Sequence, residues 1–442
     1  MESQCCGVGM RLTTADKTRL LYSGMLYLMS PFIFVYLLWR SRKAPAYRKR
    51  WAERLGWHTP PVSNVVWIHA VSVGETLAAI PLVRLVQKHF PAVKIVFTTT
   101  TPTGSDRVRA TFGDGVYHVY APYDLPGAVH RFIDDINPRL LVVMETEFWP
   151  NIFFQCGRRH IPIIVANARI SEKSLQGYKR FAKLTEATLS HVTAFVAQSH
   201  KDAQRLLELG AAPRRVRVTG NLKYEMAVPE HILNRAQQLR SQFGRRPVWI
   251  AASTHRGEDA IILEVFEKLC RQWMDLLLVL VPRHPERFDE VAALCGERAL
   301  SMVRRTGGEP VGHDTQIYLG DTMGDLMLLY AASDIAFVGG SMVPHGGQNM
   351  LEPAALAKPV IFGAYTDNFF DISERLLEAE GASRVENSEQ LYEAVQALLS
   401  RPELQTRMGT NAAAVVASNR GALKSLFLLI SPVLLQNASQ AR

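Results

Sequence analysis

The sequence predicts an α/β protein made of two doubly wound, Rossmann-like domains in tandem behind an N-terminal apolar helix. Three observations carry that prediction. Short apolar runs of strand type alternate with helical stretches along the chain, which favours parallel sheets covered by helices. At 442 residues the chain is too long for one hydrophobic core, and its 48% hydrophobic content with 23 scattered prolines fits folded α/β material. A charge-free run at residues 20–39 precedes all of this.

As a helix that run would reach about 30 Å, one hydrocarbon thickness, so residues 1–42 are expected to form a membrane anchor. Arg40, Arg42, Lys43, Arg48, Lys49, Arg50 and Arg54 follow it, against Arg11, Lys17 and Arg19 before it. The positive-inside rule then directs the large C-terminal part to the cytoplasm. Basic residues where a cleaved leader would have small ones argue against a signal peptide. Pro31 leaves open a helix that lies in one leaflet, and a buried helix of a soluble protein is the alternative.

In the first domain, residues 43–225, strands are expected at 64–70, 93–99, 116–120, 140–144, 161–167, 194–198 and 216–219, with helices at 76–90, 102–110 and 125–136. Asn137-Pro138 stops the third helix. The second domain, residues 226–442, begins with a polar helical stretch to 246 and continues with strands at 248–252, 276–281, 316–319, 335–338 and 360–362. Residues 423–435 are too short and proline-broken to span a bilayer, and are expected to pack as a helix on the body of this second domain. Two such domains with a cleft between them match the GT-B glycosyltransferase arrangement.

The formal charge of +9 suits an anionic partner, whether nucleic acid, lipid surface or phosphorylated substrate. No basic patch with interleaved aromatics supports nucleic acid. Cys5, Cys6, Cys156, Cys270 and Cys295 include no CxxC pair, which argues against a disulfide framework and a zinc site. Gly320-Asp321-Thr322-Met323-Gly324-Asp325 has the wrong spacing for a paired-aspartate metal clamp, and capping is the simpler role for Asp321 and Asp325. No metal and no cofactor are expected.

Residues 338–363 read as a nucleotide pocket entered from a strand end. Gly339, Gly340 and Ser341 allow close backbone approach where a phosphate would sit. Gly346-Gly347 then precedes a helix expected to start at Gln348-Asn349, with Glu352 in its first turn placed to hold a ribose diol. The bland alternative makes the glycines turns and Glu352 a helix-terminal charge. Ser253, Thr254, His255 and Arg256 after one strand, and Arg283 and His284 after the next, fall at the same end of the sheet and suit an anionic donor. Asn221, Lys223 and Asn349 either complete the pocket or cap turns, and His345 is either a ligand or a plain loop residue.

In the first domain, Glu75 sits at a strand-to-helix turn and Glu145 and Glu147 lie two apart past a strand end. If the extended geometry persists, the latter two share one face. Glu147 is the favoured second essential carboxylate, with Glu145 toward the acceptor; a cap for the helix beginning at Pro150 is the alternative. Arg169 and Lys173, with Lys179 and Arg180, form a candidate anion site on the acceptor side, with solvated helix charge as the alternative.

Taken together, HAVSVGE (69–75), METEFWPN (144–151), NARIS (167–171), GNLKY (220–224), ASTHRGE (252–258), VPRHPERF (281–288) and GGSMVPHGGQNMLEPA (339–354) resemble the bacterial 3-deoxy-D-manno-octulosonic acid (Kdo) transferase family. The resemblance runs from the anchor to about residue 420. It implies an inverting, metal-independent glycosyltransferase of the inner membrane, acting in Gram-negative lipopolysaccharide biosynthesis. The donor would be CMP-Kdo and the acceptor the lipid A precursor lipid IVA, with Glu75 as catalytic base. A membrane-linked GT-B enzyme using a UDP-sugar is the alternative enzyme, and an anchored nucleotide-sugar-binding scaffold the alternative without catalysis.

Overall fold

The computed structural model describes residues 14–42, 45–57, 60, 62–225 and 228–436. Cys5, Cys6, Arg11 and Lys43 lie outside them. The chain forms two compact units, one of Met1–Glu225 with Arg420–Arg442 and one of Met226–Asn419.

The first unit holds β1 (Val66–His69), β2 (Ile95–Thr99), β3 (Tyr117–Tyr120), β4 (Leu140–Met144), β5 (Ile163–Ala168), β6 (Ala194–Ala197) and β7 (Val216–Val218). They form one sheet in the order β3-β2-β1-β4-β5-β6-β7, every adjacent pair parallel. Alternate residues feed two apolar layers: Trp67, Leu141, Val143, Val165 and Phe195 on one face, Ile68, Phe97, Val142, Met144 and Ile164 on the other. The order reverses between β1 and β4. Ligands of doubly wound sheets sit outside the strand carboxyl ends at such a reversal, so the segments after His69 and after Met144 are brought together there.

The C-terminal helix Ala422–Gln436 packs on the second of these layers. This corrects its expected place on the second domain. Ala422, Leu426, Ile430 and Leu434 recur at one-turn spacing and are all buried. Phe427 packs on His89 and Phe90, and the Glu225 carboxylate accepts from the Gly421 and Leu423 amides.

The N-terminal helix Thr14–Arg40 is long and apolar enough to cross a membrane, as by composition is the stretch Pro402–Leu435. The second stretch is broken at Gly421, φ +110°, and its halves belong to different units. The first helix is docked on its unit from end to end. Arg19 lies 3.5 Å over the Phe154 ring, Ser23 Oγ donates to Asn151, and Phe34 packs on Trp51 and Tyr123. Its outer face leaves Leu21, Leu28, Phe32 and Val35 exposed. The basic collar behind it is only partly open to solvent. Arg54 is buried, donating to Thr100 O, and Arg50 bonds Glu53, Ser105 and the His118 carbonyl. Among the described residues the exposed collar cations are Arg40, Arg42, Arg48 and Lys49.

The second unit repeats the plan with β8 (Val248–Thr254), β9 (Leu277–Pro282), β10 (Met302–Arg304), β11 (Ile317–Leu319), β12 (Ile335–Val338), β13 (Val360–Phe362) and β14 (Ala382–Arg384). The order is β10-β11-β9-β8-β12-β13-β14, all parallel, and it reverses between β8 and β12. The edge strands β10 and β14, three residues each, were not expected: they are too short to carry a periodic signal. The helix expected from Gln348 is only Leu351–Ala355. Gln348 N instead donates to Gly339 O, and Asn349 Oδ1 accepts from Leu351 N.

Candidate active site

At the reversal point of the first sheet, Ser72 caps the helix Val73–His89 by accepting from Glu75 N. Glu75 Oε2 in turn accepts from Val71 N at 2.7 Å, so this glutamate does hold the helix start. The side chain is only 6% exposed, and burial raises its proton affinity, opposed by the Val71 and Ser72 bonds and reinforced by Glu145.

Beside it, Glu145 has φ +56°, a left-handed backbone rare for a side chain of this size. The strand therefore ends at Met144, and the extended continuation that would set Glu145 and Glu147 on one face is corrected. Glu145 lies 3.7 Å from Lys223 Nζ. Glu147 Oε2 accepts from Trp149 Nε1 at 2.8 Å. Burial pushes the Glu147 carboxyl up to about 7, with Glu75 and Glu145 adding to the rise and the indole N–H opposing it. Neither Glu145 nor Glu147 caps the helix Pro150–Arg158. Asp124 does, accepting from Asn151 N at 2.9 Å and Ile152 N at 2.8 Å. Under this cluster His69 stands edge-on to Trp149, centroids 5.6 Å apart. Burial lowers His69 to about 4, so its ring is neutral.

Arg169 follows β5 next to this segment: its carbonyl accepts from Thr146 Oγ1. Lys173 is exposed in the first turn of the helix Glu172–Lys179. Lys179 pairs with Glu208 at 2.7 Å, so it does not join them as a free phosphate ligand.

In the second unit the loop after β12 is built differently from its sequence reading. The Glu258 carboxylate, fully buried, accepts from His255 N (2.8 Å), Gly340 N (2.7 Å), Ser341 N (3.0 Å) and Met342 N (2.9 Å). Gly339 N and Gly347 N go to Ala252 O and Gly340 O. A carboxylate of the chain thus occupies the amide nest expected to receive a phosphate. Gly339 is required by another backbone, since a Cβ there would sit 2.6 Å from Ser253 O. Gly346 (φ +82°) and Gly347 (φ +78°) supply left-handed turns. Ser341 Oγ is fully buried, donating to Val338 O and accepting from Gly363 N. Thr254 Oγ1 donates to Asp259, which also holds Arg287. Ser253 is buried with φ +56°. Asn349 donates to Glu352, and Asn221 caps a turn at Lys223 N. Ser341, Gly340 and Thr254 are therefore corrected to parts of the frame.

What that frame presents is a cationic and imidazole cluster. His255 stacks on His345, centroids 4.2 Å apart, and meets His284 edge-on at 5.4 Å. Arg283 Nε donates to Gln348 Oε1 at 3.2 Å, and Gln348 Nε2 lies 3.1 Å from His255 Nε2. Burial, then His345, His284, Arg283 and Arg287, lower His255 to about 4. This gathers His255, Arg283 and His284, which the sequence singled out, with His345 and Gln348. The sequence left His345 open between ligand and loop residue, because its stacking partner His255 is distant along the chain. Asp321 and Asp325 do more than cap a turn: they pair with Arg304 and Arg305. Among the described residues no group of three or more His, Cys, Asp or Glu is poised to hold a metal ion.

A family model described as 3-deoxy-D-manno-octulosonic-acid transferase (kdotransferase) matches residues 49–226. The 3-deoxy-D-manno-octulosonic acid transferase of Haemophilus influenzae is 44% identical over 424 residues, covering 95% of this chain and 99% of that protein. The C-terminal CMP-Kdo binding domain of WaaA from Acinetobacter baumannii is 36% identical, covering 42% of this chain and 99% of its own, with TM-score 0.41. UDP-GlcNAc 2-epimerase from Neisseria meningitidis is 16% identical and covers 84% of this chain and 99% of its own with TM-score 0.55, a likeness of fold alone.

Proposed function

Because this chain belongs to the Kdo transferase family and is a glycosyltransferase, we propose that it moves Kdo from CMP-Kdo to the lipid A precursor lipid IVA, with inversion at the anomeric carbon. The observation that carries the mechanism is the three-carboxylate cluster at the reversal point of the first sheet. The Glu75 carboxylate takes the proton of the acceptor hydroxyl as that oxygen bonds to the anomeric carbon. The bond from that carbon to the CMP phosphate breaks, and CMP leaves with the electron pair. Glu147, ionised, accepts a hydrogen bond from the acceptor sugar and orients it. Glu145 is held by Lys223 and keeps the proton affinity of Glu75 high.

In the second unit, Arg283, His284, His255 and His345 hold the donor phosphate and the Kdo carboxylate with side chains, without metal or cofactor. Arginine suits the carboxylate, and a neutral histidine can take a proton as phosphate charge develops. Arg169 and Lys173 face an acceptor phosphate. The N-terminal helix holds the enzyme at the bacterial inner membrane with both units on the cytoplasmic side, and Arg40, Arg42, Arg48 and Lys49 attract anionic head groups. The test is incubation of the detergent-solubilised protein with CMP-Kdo and lipid IVA, read by mass spectrometry, with UDP-sugars in parallel. Kdo mass added only from CMP-Kdo is the expected result, and transfer only from a UDP-sugar would overturn the reading.

A further inference from the structure

Between the N-terminal helix and the body of the first unit lies a cavity of about 210 Å³, lined mainly by Tyr22, Leu26, Ile33, Phe34, Tyr123 and Trp149. The helix is pinned on both sides of it. Tyr22 OH donates to Asp124 Oδ2 toward one end, and Phe34 packs on Trp51 and Tyr123 toward the other. Asp124, the one acidic group in the wall, offers little to a polar guest. Its Oδ1 accepts from Ile152 N, and its Oδ2 from Asn151 N and Tyr22 OH. What remains is an apolar surface suited to hydrocarbon.

Three features say which hydrocarbon. The lining residues of the helix fall inside its charge-free run, at acyl-chain rather than head-group depth once the exposed Leu28 and Phe32 face lipid. The volume is below the roughly 300 Å³ of a pocket that encloses a whole small molecule, so it holds a part of one. Trp149 forms a wall of the cavity, and its indole N–H donates to Glu147, so cavity and candidate catalytic carboxylates share one side chain. We infer that this cavity binds one acyl chain of the acceptor itself and thereby sets the acceptor sugar against Glu147 and Glu75. The inference rests on the acylated acceptor of the proposed function.

Leu26→Trp and Ile33→Trp fill the cavity, and Leu28→Trp on the lipid-facing side serves as control. The full chain in detergent is assayed with CMP-Kdo and either lipid IVA or its fully deacylated disaccharide. Each filling variant should raise KM for lipid IVA about tenfold, or about 1.4 kcal/mol, the equivalent of roughly two excluded methylenes. KM for CMP-Kdo should stay the same, and the deacylated acceptor should not distinguish the proteins. Transfer with lipid IVA KM unchanged in both filling variants would overturn the inference alone. An equal rise in Leu28→Trp would also overturn it, by tracing the effect to membrane insertion. Failure of the unaltered protein to transfer Kdo would overturn the functional reading and the inference together.

Discussion

Replacing Trp149 by Phe keeps an aromatic ring over His69 and removes one hydrogen bond, the 2.8 Å donation from indole Nε1 to Glu147. That bond favours the ionised carboxylate, whereas burial and the neighbouring Glu75 and Glu145 disfavour it, the balance lying at about 7. A hydrogen bond to a charged group contributes about 1.5–3 kcal/mol, and one pKa unit corresponds to about 1.4 kcal/mol. Glu147 is partly open to solvent, and water can replace part of the loss, so the lower end applies: a rise of about one unit. If the acceptor must meet ionised Glu147, kcat/KM for lipid IVA climbs with pH through an inflection near 7, a property of the coupled carboxylates rather than of one residue. In the variant the inflection should move to about 8. The rate at pH 7, taken as a fraction of each protein's own alkaline plateau, then falls about fivefold from the unaltered protein to the variant, as the ionised fraction drops from about one half to about one tenth. Lost packing lowers the plateau but not the inflection, so the profile separates the two effects. An inflection that stays in place, or moves down, would refute the assignment of Glu147 and its indole donor.

Further outcomes follow from the same geometry. The folded-state proton affinity of Glu147 is above its ordinary value, so its contribution to stability is complete below about 4.5 and is lost as pH rises through about 7. Glu147→Gln should therefore raise the Tm at pH 8, by about 1–3 kcal/mol of stability, and leave it unchanged at pH 4, as thermal melts at both pH values will show. Glu258→Gln puts an amide nitrogen where a carboxylate oxygen accepts two backbone N–H groups. Each orphaned donor costs about 1–3 kcal/mol, so Tm should fall and KM for CMP-Kdo should rise at least tenfold. His255 is held neutral by burial and by surrounding cations and imidazoles. A bound phosphate reverses that balance, so calorimetry of CMP-Kdo binding at pH 6 in two buffers of different ionisation enthalpy should report proton uptake, reduced in His255→Gln.

The architecture was legible because most strands are compact apolar runs with punctuation after them, and all seven strands of the first sheet and five of the seven in the second follow from that alternation. Glu75, Glu145 and Glu147 were legible for the same reason, since residues just past a strand end in a doubly wound fold must lie at its ligand edge. The glycine loop misled. Gly339, Gly340 and Ser341 have the composition of a phosphate cradle, yet the Gly340 and Ser341 amides are held by Glu258, a residue remote in sequence and belonging to another helix start, and the Gly339 amide by Ala252 O. The C-terminal helix misled similarly. Its one-turn spacing of Leu426, Ile430 and Leu434 announces a buried face without naming the sheet that buries it. Arg54, counted with a lipid-facing collar, carries a charge that composition cannot distinguish from one packed under Tyr120 and bonded to Thr100 O. In each case the decisive partner is long-range.

The central claim is that Glu75 takes the acceptor proton, and Glu75→Gln tests it most directly. The amide preserves shape and can still accept from Val71 N, so the helix start and fold should persist. In the Kdo transfer assay read by mass spectrometry, kcat should fall by about 10²–10⁴ while CMP-Kdo binding, measured by calorimetry, is unchanged. A variant that transfers Kdo at the original rate would contradict the account and place the base elsewhere in the carboxylate cluster.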